Sequence, residues 1–336
     1  MGSKCFNGEV WTNVHPEIMQ AMADANRIAV DGKVGHDGYS QRAMALLQKE
    51  FTCPVGMIFT YNGTAANVLA LKHMLHPWDA ILGASCTHVN THENGATEFS
   101  LGCKILPIPS DDGKVTPEGV QQHVSLYAGY AYKPRVLVLT QPTELGVLYT
   151  VDELRELCAT AHSNDMLVFV DGARITHALA ALDTDLHTMI EETGVDAFTY
   201  GGTKAGLMFG EIAVFLRSGL CDGLERSQKQ SQQHMDKSKF LGVQFEYLLS
   251  TGLWHKTASH ANSMAKRLGQ ELSQRGIELC YPVDTNMVFA KLSPEQLASV
   301  QTQFDLHYWD ESIGSVRFAA THETTDEMID ALLALL

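Results

Sequence analysis

Seven short, mostly apolar runs divide the first two-thirds of the chain: Val55–Thr60, Ala80–Gly83, Lys104–Ile108, Arg135–Thr140, Leu167–Val170, Ala197–Tyr200 and Ile212–Leu216. Each has the length of a buried strand and little of the alternation that a half-exposed strand shows. Between most of them, apolar residues recur at helical spacing, which predicts helices at Ala65–His76, Pro117–Tyr127, Val151–Ser163 and Leu186–Glu192. Such strands alternating with amphipathic helices make an α/β fold, a mainly parallel sheet covered on both faces. Two helices come before the sheet. One opens at His15-Pro16-Glu17, with proline in its first turn and an acid facing the positive end of the helix dipole, and has Ile18, Met19, Met22 and Ala25 as its apolar face. The other runs through Ala43, Leu46, Leu47 and Phe51.

Past Gly223 the pattern changes to long helices, Leu224–Ser250 and Leu253–Arg275, broken at Thr251-Gly252. Strands near Asn286–Ala290 and Ser315–Ala319, with helices near Pro294–Phe304 and Thr325–Leu336, complete a smaller α+β unit. The expected division is an N-terminal segment 1–15, a large domain 16–245 and a small C-terminal domain 246–336. There is no internal repeat and no low-complexity tract.

Composition narrows the partners. The chain of 336 residues is 45% hydrophobic and 19% charged, with a net charge of −15 and no basic stripe. That argues against nucleic acid or an anionic membrane surface as partner. No apolar run approaches the ~20 residues that span a bilayer. Met1–Cys5 offers no apolar signal segment, and Phe6 stands where a myristoylation signal has Ser or Thr, so the expected location is the cytoplasm. The seven cysteines are scattered, with no Cys-x-x-Cys pair, and read as reduced thiols.

The candidate chemistry gathers at strand ends. The run Leu167–Val170 stops at Asp171-Gly172-Ala173-Arg174, and Ala197–Tyr200 leads into Gly201-Gly202-Thr203-Lys204. A carboxylate at the carboxyl end of a buried strand lies where open α/β sheets bind ligands. The glycines leave the lysine amine unshielded, and the interval has room for one crossover helix, Thr184–Thr193. A lysine amine that condenses with an aldehyde, an acid that keeps a ring nitrogen protonated and a nearby cation are what pyridoxal 5'-phosphate (PLP) chemistry needs. The same residues also fit a strand-end Asp–Arg pair and a surface lysine, so the reading needs further parts.

Two more segments supply them. The first strand ends at Asn62-Gly63-Thr64, which puts backbone N–H groups and a hydroxyl at a helix N-terminus; that is a place for a phosphate or simply a helix cap. No Walker lysine follows, and there is no Gly-x-Gly-x-x-Gly. After the second strand, His88 is placed to lay its ring on a pyridine and to exchange protons near neutral pH. His88, His92 and Glu93 could instead be metal ligands. That spacing needs a helix and a third ligand, and Asn94 and Gly95 disfavour a helix, so no metal is expected.

His15-Pro16-Glu17, Asn62-Gly63-Thr64, His88–Gly95, Asp171-Gly172-Ala173-Arg174 and Gly202-Thr203-Lys204 together resemble the segments of PLP-dependent, low-specificity L-threonine aldolases of the β-eliminating lyase superfamily, fold type I. The resemblance runs from about Phe6 to the end of the chain. It implies that Lys204 carries the cofactor, Asp171 pairs with its ring nitrogen, His88 stacks on the ring, Gly63 and Thr64 hold the phosphate, and Asn62 and Thr203 also bind the cofactor. It implies further that Arg174 lies near the phenolic oxygen and the substrate carboxylate. Ser315-Val316-Arg317-Phe318 gives Arg317 the substrate-carboxylate role, and His88, or a water it holds, is the expected base. The implied reaction is retro-aldol cleavage of a 3-hydroxy amino acid, threonine or allo-threonine, to glycine and an aldehyde. The implied assembly is a dimer or dimer of dimers, with 31–38 and the region of Lys237 and Lys239 reaching a neighbour's site.

Departures fall on the substrate side. Gly8-Glu9 stands where such aldolases have Ser-Asp, and 34–38 lacks their tyrosine. Gln141-Pro142-Thr143 replaces Glu-Asn-Thr, and no histidine precedes that strand, Tyr130 and Tyr132 being nearest. Another PLP enzyme, a β-eliminating lyase or aminotransferase, and a PLP-binding protein without turnover are the alternatives.

Overall fold

The computed structural model describes residues 6–29 and 36–336; of the segments expected at an interface, 31–35 lie outside them. Two helices, α1 (Pro16–Ala25) and α2 (Gly38–Gln48), precede a seven-stranded sheet. Its strands are β1 (Gly56–Thr60), β2 (Asp79–Ala84), β3 (Lys104–Ile108), β4 (Lys133–Thr140), β5 (Leu167–Asp171), β6 (Ala197–Gly201) and β7 (Glu211–Phe215). The order is β1-β7-β6-β5-β4-β2-β3, and β7 alone is antiparallel to its neighbours. Helices α3 (Gly63–Met74), the short α4 (His88–Thr91) and α5 (Ala96–Leu101), α6 (Pro117–Tyr127) and α7 (Val151–Ser163) lie between the earlier strands. Between β6 and β7 there is no crossover helix, only a short loop carrying Lys204, and a connection that short can join only antiparallel strands.

The crossover between β5 and β6 begins earlier than the sequence pattern predicts. Helix α8 (Ile175–Leu182) starts directly after Arg174, and only a π-helical turn, His187–Glu191, occupies the expected place. Ile175–Leu179 is buried on every side, so it lacks the polar stripe that would reveal a helix. The expected long helix Leu224–Ser250 is broken into α9 (Leu224–Gln230) and α10 (Lys239–Ser250). Gln232 takes a left-handed conformation (φ 62°), which ends the helical run.

Helix α11 (Leu253–Gln274) links two cores: Leu253 belongs to the main core, while Ala265, Leu268 and Leu272 belong to a second. The second core underlies a three-stranded antiparallel sheet, β8 (Met287–Lys291), β10 (Ser315–Ala319) and β9 (Tyr308–Asp310), with α12 (Pro294–Val300) and α13 (Asp326–Leu333). Phe6 packs in this second core against Phe304 and Phe318, and its carbonyl accepts from Ala319 N–H (2.7 Å). This docking carries Gly8 and Glu9 to the carboxyl ends of the large sheet. No helix among the described residues is long and apolar enough to cross a membrane.

Candidate active site

Backbone contact brings the two strand ends together. A Cβ on Gly172 would lie 2.1 Å from the Thr199 carbonyl oxygen, and one on Gly201 would lie 2.2 Å from that of Ala173. Only glycine tolerates such approaches. The segment after β5 therefore lies directly against the end of β6, where a 3-10 turn, Thr203–Ala205, presents Lys204. Gly202 N–H donates to Glu211 Oε2 (2.7 Å) and Gly210 N–H to Thr203 Oγ1 (3.1 Å), which pins the turn. Lys204 is half-buried, and its amine has no hydrogen bond or ion pair among the described residues.

Asp171 is buried. Its Oδ1 accepts from Ala173 N–H (3.0 Å) and its Oδ2 from the Asn67 side-chain amide (2.8 Å). Asn67, on α3, also donates to Glu93 Oε1 (2.8 Å) and accepts from the Thr199 hydroxyl (3.1 Å). Glu93 takes a further bond from Thr97 (3.3 Å) and lies 3.0 Å from His88 Nδ1. Burial works against a charged His88, but the bond to Glu93 and the carboxylates of Asp171 and Glu144 prevail and raise its pKa. One buried network thus orients both the acid and the ring expected to grip the cofactor. Asn67 was not among the sequence-predicted site residues and Glu93 was weighed only as a metal ligand, although an asparagine inside Ala65–Ala70, otherwise a run of alanine, valine and leucine, is a legible signal for the first.

At the start of α3, Asn62 caps the helix by accepting from Ala65 N–H (2.9 Å), so its side chain serves the helix first. The space around Gly63 is open: a Cβ there would meet nothing within 4 Å. That leaves the N–H groups of Gly63 and Thr64 at the positive end of a twelve-residue helix. His88, Glu93 and Asp171 offer ligand atoms within 4.8 Å of one another. The pair considered for a metal from sequence is arranged differently, with the His88 and His92 rings stacked (5.6 Å, 22°).

The profile of the family described as beta-eliminating lyase matches residues 10–295. The chain belongs to the beta-eliminating lyase family. The low-specificity L-threonine aldolase of a Pseudomonas species is 32% identical over 335 residues, spanning 99% of this chain and 96% of its own. That of Pseudomonas aeruginosa is 32% identical over 330 residues, spanning 97% and 95%. The solved structure of Leishmania major threonine aldolase superposes with a TM-score of 0.92 at 28% identity and 98% coverage of each chain. An aspartate aminotransferase from Thermus thermophilus, at 16% identity and a TM-score of 0.73 over 99% of this chain and 90% of its own, shares the fold.

On the other side of the candidate site in this member of the beta-eliminating lyase family the groups are charged. Arg174 and Glu9 form a buried two-pronged pair, Nε–Oε1 2.6 Å and Nη2–Oε2 3.0 Å, and Asn286 donates to Glu9 Oε1 (2.7 Å). Burial opposes the Glu9 charge, yet Arg174 holds its carboxyl well below the usual range. Two Arg174 nitrogens are therefore engaged by a residue that the sequence reading had noted only as a departure. Arg317 donates Nη2–H to the Asn7 carbonyl (2.9 Å), and its guanidinium lies 4.4 Å from the Trp309 ring centroid. Trp309 stacks on His92 (5.4 Å, 18°), which stacks on His88. A row of three rings thus joins the residue expected on the cofactor to the one expected on the substrate carboxylate. Lys239, considered for a neighbour's phosphate, is buried and gives its amine to the carbonyls of Ala25 (3.2 Å) and Ile28 (3.0 Å), while Lys237 is exposed.

Proposed function

We propose that this chain is a PLP-dependent carbon-carbon lyase that cleaves a 3-hydroxy amino acid, threonine or allo-threonine, to glycine and an aldehyde. The observation that carries the reading is an unpartnered, half-buried Lys204 set by backbone contact beside the buried acid Asp171, in a chain whose full-length relatives are threonine aldolases. The residues present fit the cofactor. Lys204 would join its aldehyde, Asp171 would accept from its ring nitrogen, and His88 would cover its face. Gly63, Thr64 and the start of α3, with Thr203, would hold its phosphate. Such a cofactor would supply a sink for the electron pair of the bond between the α and β carbons, and Asp171 would keep its ring nitrogen protonated.

The chain's own residues supply orientation. Arg317 has donors left over after its single bond to Asn7, and the Trp309 ring keeps its guanidinium flat; with Arg174 it would fix the substrate carboxylate. That grip sets which α-carbon bond stands across the ring and is therefore broken. The same reading places the enzyme in the cytoplasm as a dimer or a dimer of dimers. Large apolar side chains left exposed, among them Val10, Trp11, Tyr61 and Phe99, support association, and light scattering measures it.

The test is direct. Wild-type protein with PLP should release aldehyde from threonine or allo-threonine and no pyruvate from tyrosine, tryptophan or cysteine. Lys204→Ala should lose both aldehyde release and the visible absorbance of the covalently held cofactor. Absorbance and release that both survive the substitution would overturn the assignment.

A further inference from the structure

Glu144 lies on the loop that leaves β4, the strand next to β5; Thr140, at the end of β4, is paired with Asp171. A tight turn fixes the loop, with Thr143 N–H donating to the Val147 carbonyl (2.9 Å), Gly146 N–H to that of Thr143 (2.9 Å) and the Thr143 hydroxyl to that of Asp112 (3.1 Å). Its neighbour Leu145 packs with Met287, Phe289 and Ala319 in an apolar cluster that reaches Trp309. The segment is thereby clamped between the large sheet and the small sheet that carries Arg317.

Glu144 is only 6% exposed, yet its carboxylate has no hydrogen bond and no ion pair among the described residues. The other buried acids around the site all have partners: Glu9 has Arg174 and Asn286, Glu93 has His88, Asn67 and Thr97, Asp171 has Ala173 and Asn67, and Glu211 has Gly202. Its oxygens are not among the fully enclosed unpartnered atoms, so they still reach solvent. A carboxylate out of bulk water and without a donor is costly and asks for a ligand that supplies one. The charged and titratable groups that face it are His88, His92, Arg174, Arg317 and Cys86. Among them are His88, which would cover the cofactor, and Arg317, which would hold the substrate carboxylate, so Glu144 lies near both proposed groups.

We propose that Glu144 is the catalytic base, accepting the proton of the substrate's β-hydroxyl. The O–H bond breaks toward a Glu144 oxygen, and its electron pair becomes the second carbon-oxygen bond of the departing aldehyde. The pair of the bond between the α and β carbons stays on the α carbon. Protonation there completes glycine, and Glu144 returns its proton to solvent. His88 suits this role less, because its Nδ1 is bound to Glu93 and its ring face serves the cofactor.

This inference rests on the aldolase reading, and the experiment separates the two. Wild type, E144Q and E144D are compared by PLP titration of the cofactor-free protein, by glycine dissociation constants, and by single-turnover aldehyde release from threonine across pH. Glycine has no β-hydroxyl, so E144Q should bind PLP and glycine within about twofold of wild type while aldehyde release falls about 10²- to 10⁴-fold and loses its acid limb. Release within about tenfold of wild type, or glycine binding lost in step with release, overturns the assignment. If E144Q does not fold, E144D decides on the same constants, reduced release with intact glycine binding supporting the role and unchanged release overturning it. Wild-type protein that binds PLP but cleaves no threonine stereoisomer overturns the aldolase reading and this inference with it.

Discussion

The two sides of the proposed active site are built differently. On the side proposed to hold the cofactor, Asp171, Lys204 and Gly63 stand at strand ends of one sheet or at the helix that follows its first strand, and backbone contacts and neutral donors position them. On the side proposed to hold the substrate, Glu9, Glu144, Arg174, Trp309 and Arg317 come from separate segments, two of them on the small sheet; Glu9 and Arg174 form a buried ion pair and Arg317 lies over the Trp309 ring. The first side is therefore as rigid as the sheet itself. The second depends on the docking of the two cores and on ion pairs, so a few substitutions can reshape it without disturbing cofactor binding.

The largest expected effect tests the cofactor side. Asp171→Ala removes the proposed acceptor for the ring nitrogen and leaves the Asn67 NH₂ with one acceptor, Glu93, so aldehyde release should fall by about 10³-fold or more, roughly 4 kcal/mol. Folding should change far less, since the backbone approaches at Gly172 and Gly201 remain. A variant that unfolds before it loses turnover would show that this acid is a structural keystone and that the two sides do not differ as described.

The substrate side should respond in the opposite way. Glu9→Ala leaves the Arg174 guanidinium buried and unpaired, which should cost about 3–5 kcal/mol in urea unfolding, while the double variant Glu9→Ala with Arg174→Met should recover much of that loss. A cost below about 1 kcal/mol for the single variant would mean that the pair does not hold the N-terminal segment in place.

This contrast also decides what could be read from sequence. Parallel strands buried on both faces are continuous apolar runs, so all seven were legible, and the turn residues after them named Asp171, Gly63, Thr64 and Lys204. Helix α8 was not legible, because full burial of Ile175–Leu179 removes the polar stripe. Nor was the grip of Glu9 on Arg174, 165 residues apart in the chain, or the network from Asn67 to Asp171 and Glu93; no local pattern encodes a contact between distant segments. Glu144 follows directly on Gln141-Pro142-Thr143, and nothing in the local pattern singles it out. The three-residue β9 was missed because a strand that short has no period to detect.

The smallest effect is a pH signature that differs between the two sides. Beneath Lys204, burial pushes the Glu211 carboxyl up to about 7, against the opposing pull of the Gly202 N–H and Thr203. Beside Glu9 and Arg174, burial brings His177 down to about 4. A raised acid gives stability that is complete below its unfolded value of 4.5 and is lost as pH rises through about 7; a lowered histidine gives stability that is complete above 6.5 and is lost as pH falls through about 4. Each swing is about 3 kcal/mol at most, and between pH 4.5 and 6.5 their slopes oppose. Glu211→Gln keeps an acceptor for Gly202 and removes one slope, so the cofactor-free variant should gain stability as pH rises through that window where wild type stays nearly flat. Parallel curves for the two proteins would mean that Glu211 does not hold its proton in the fold, and that the cofactor side contributes no pH dependence of its own.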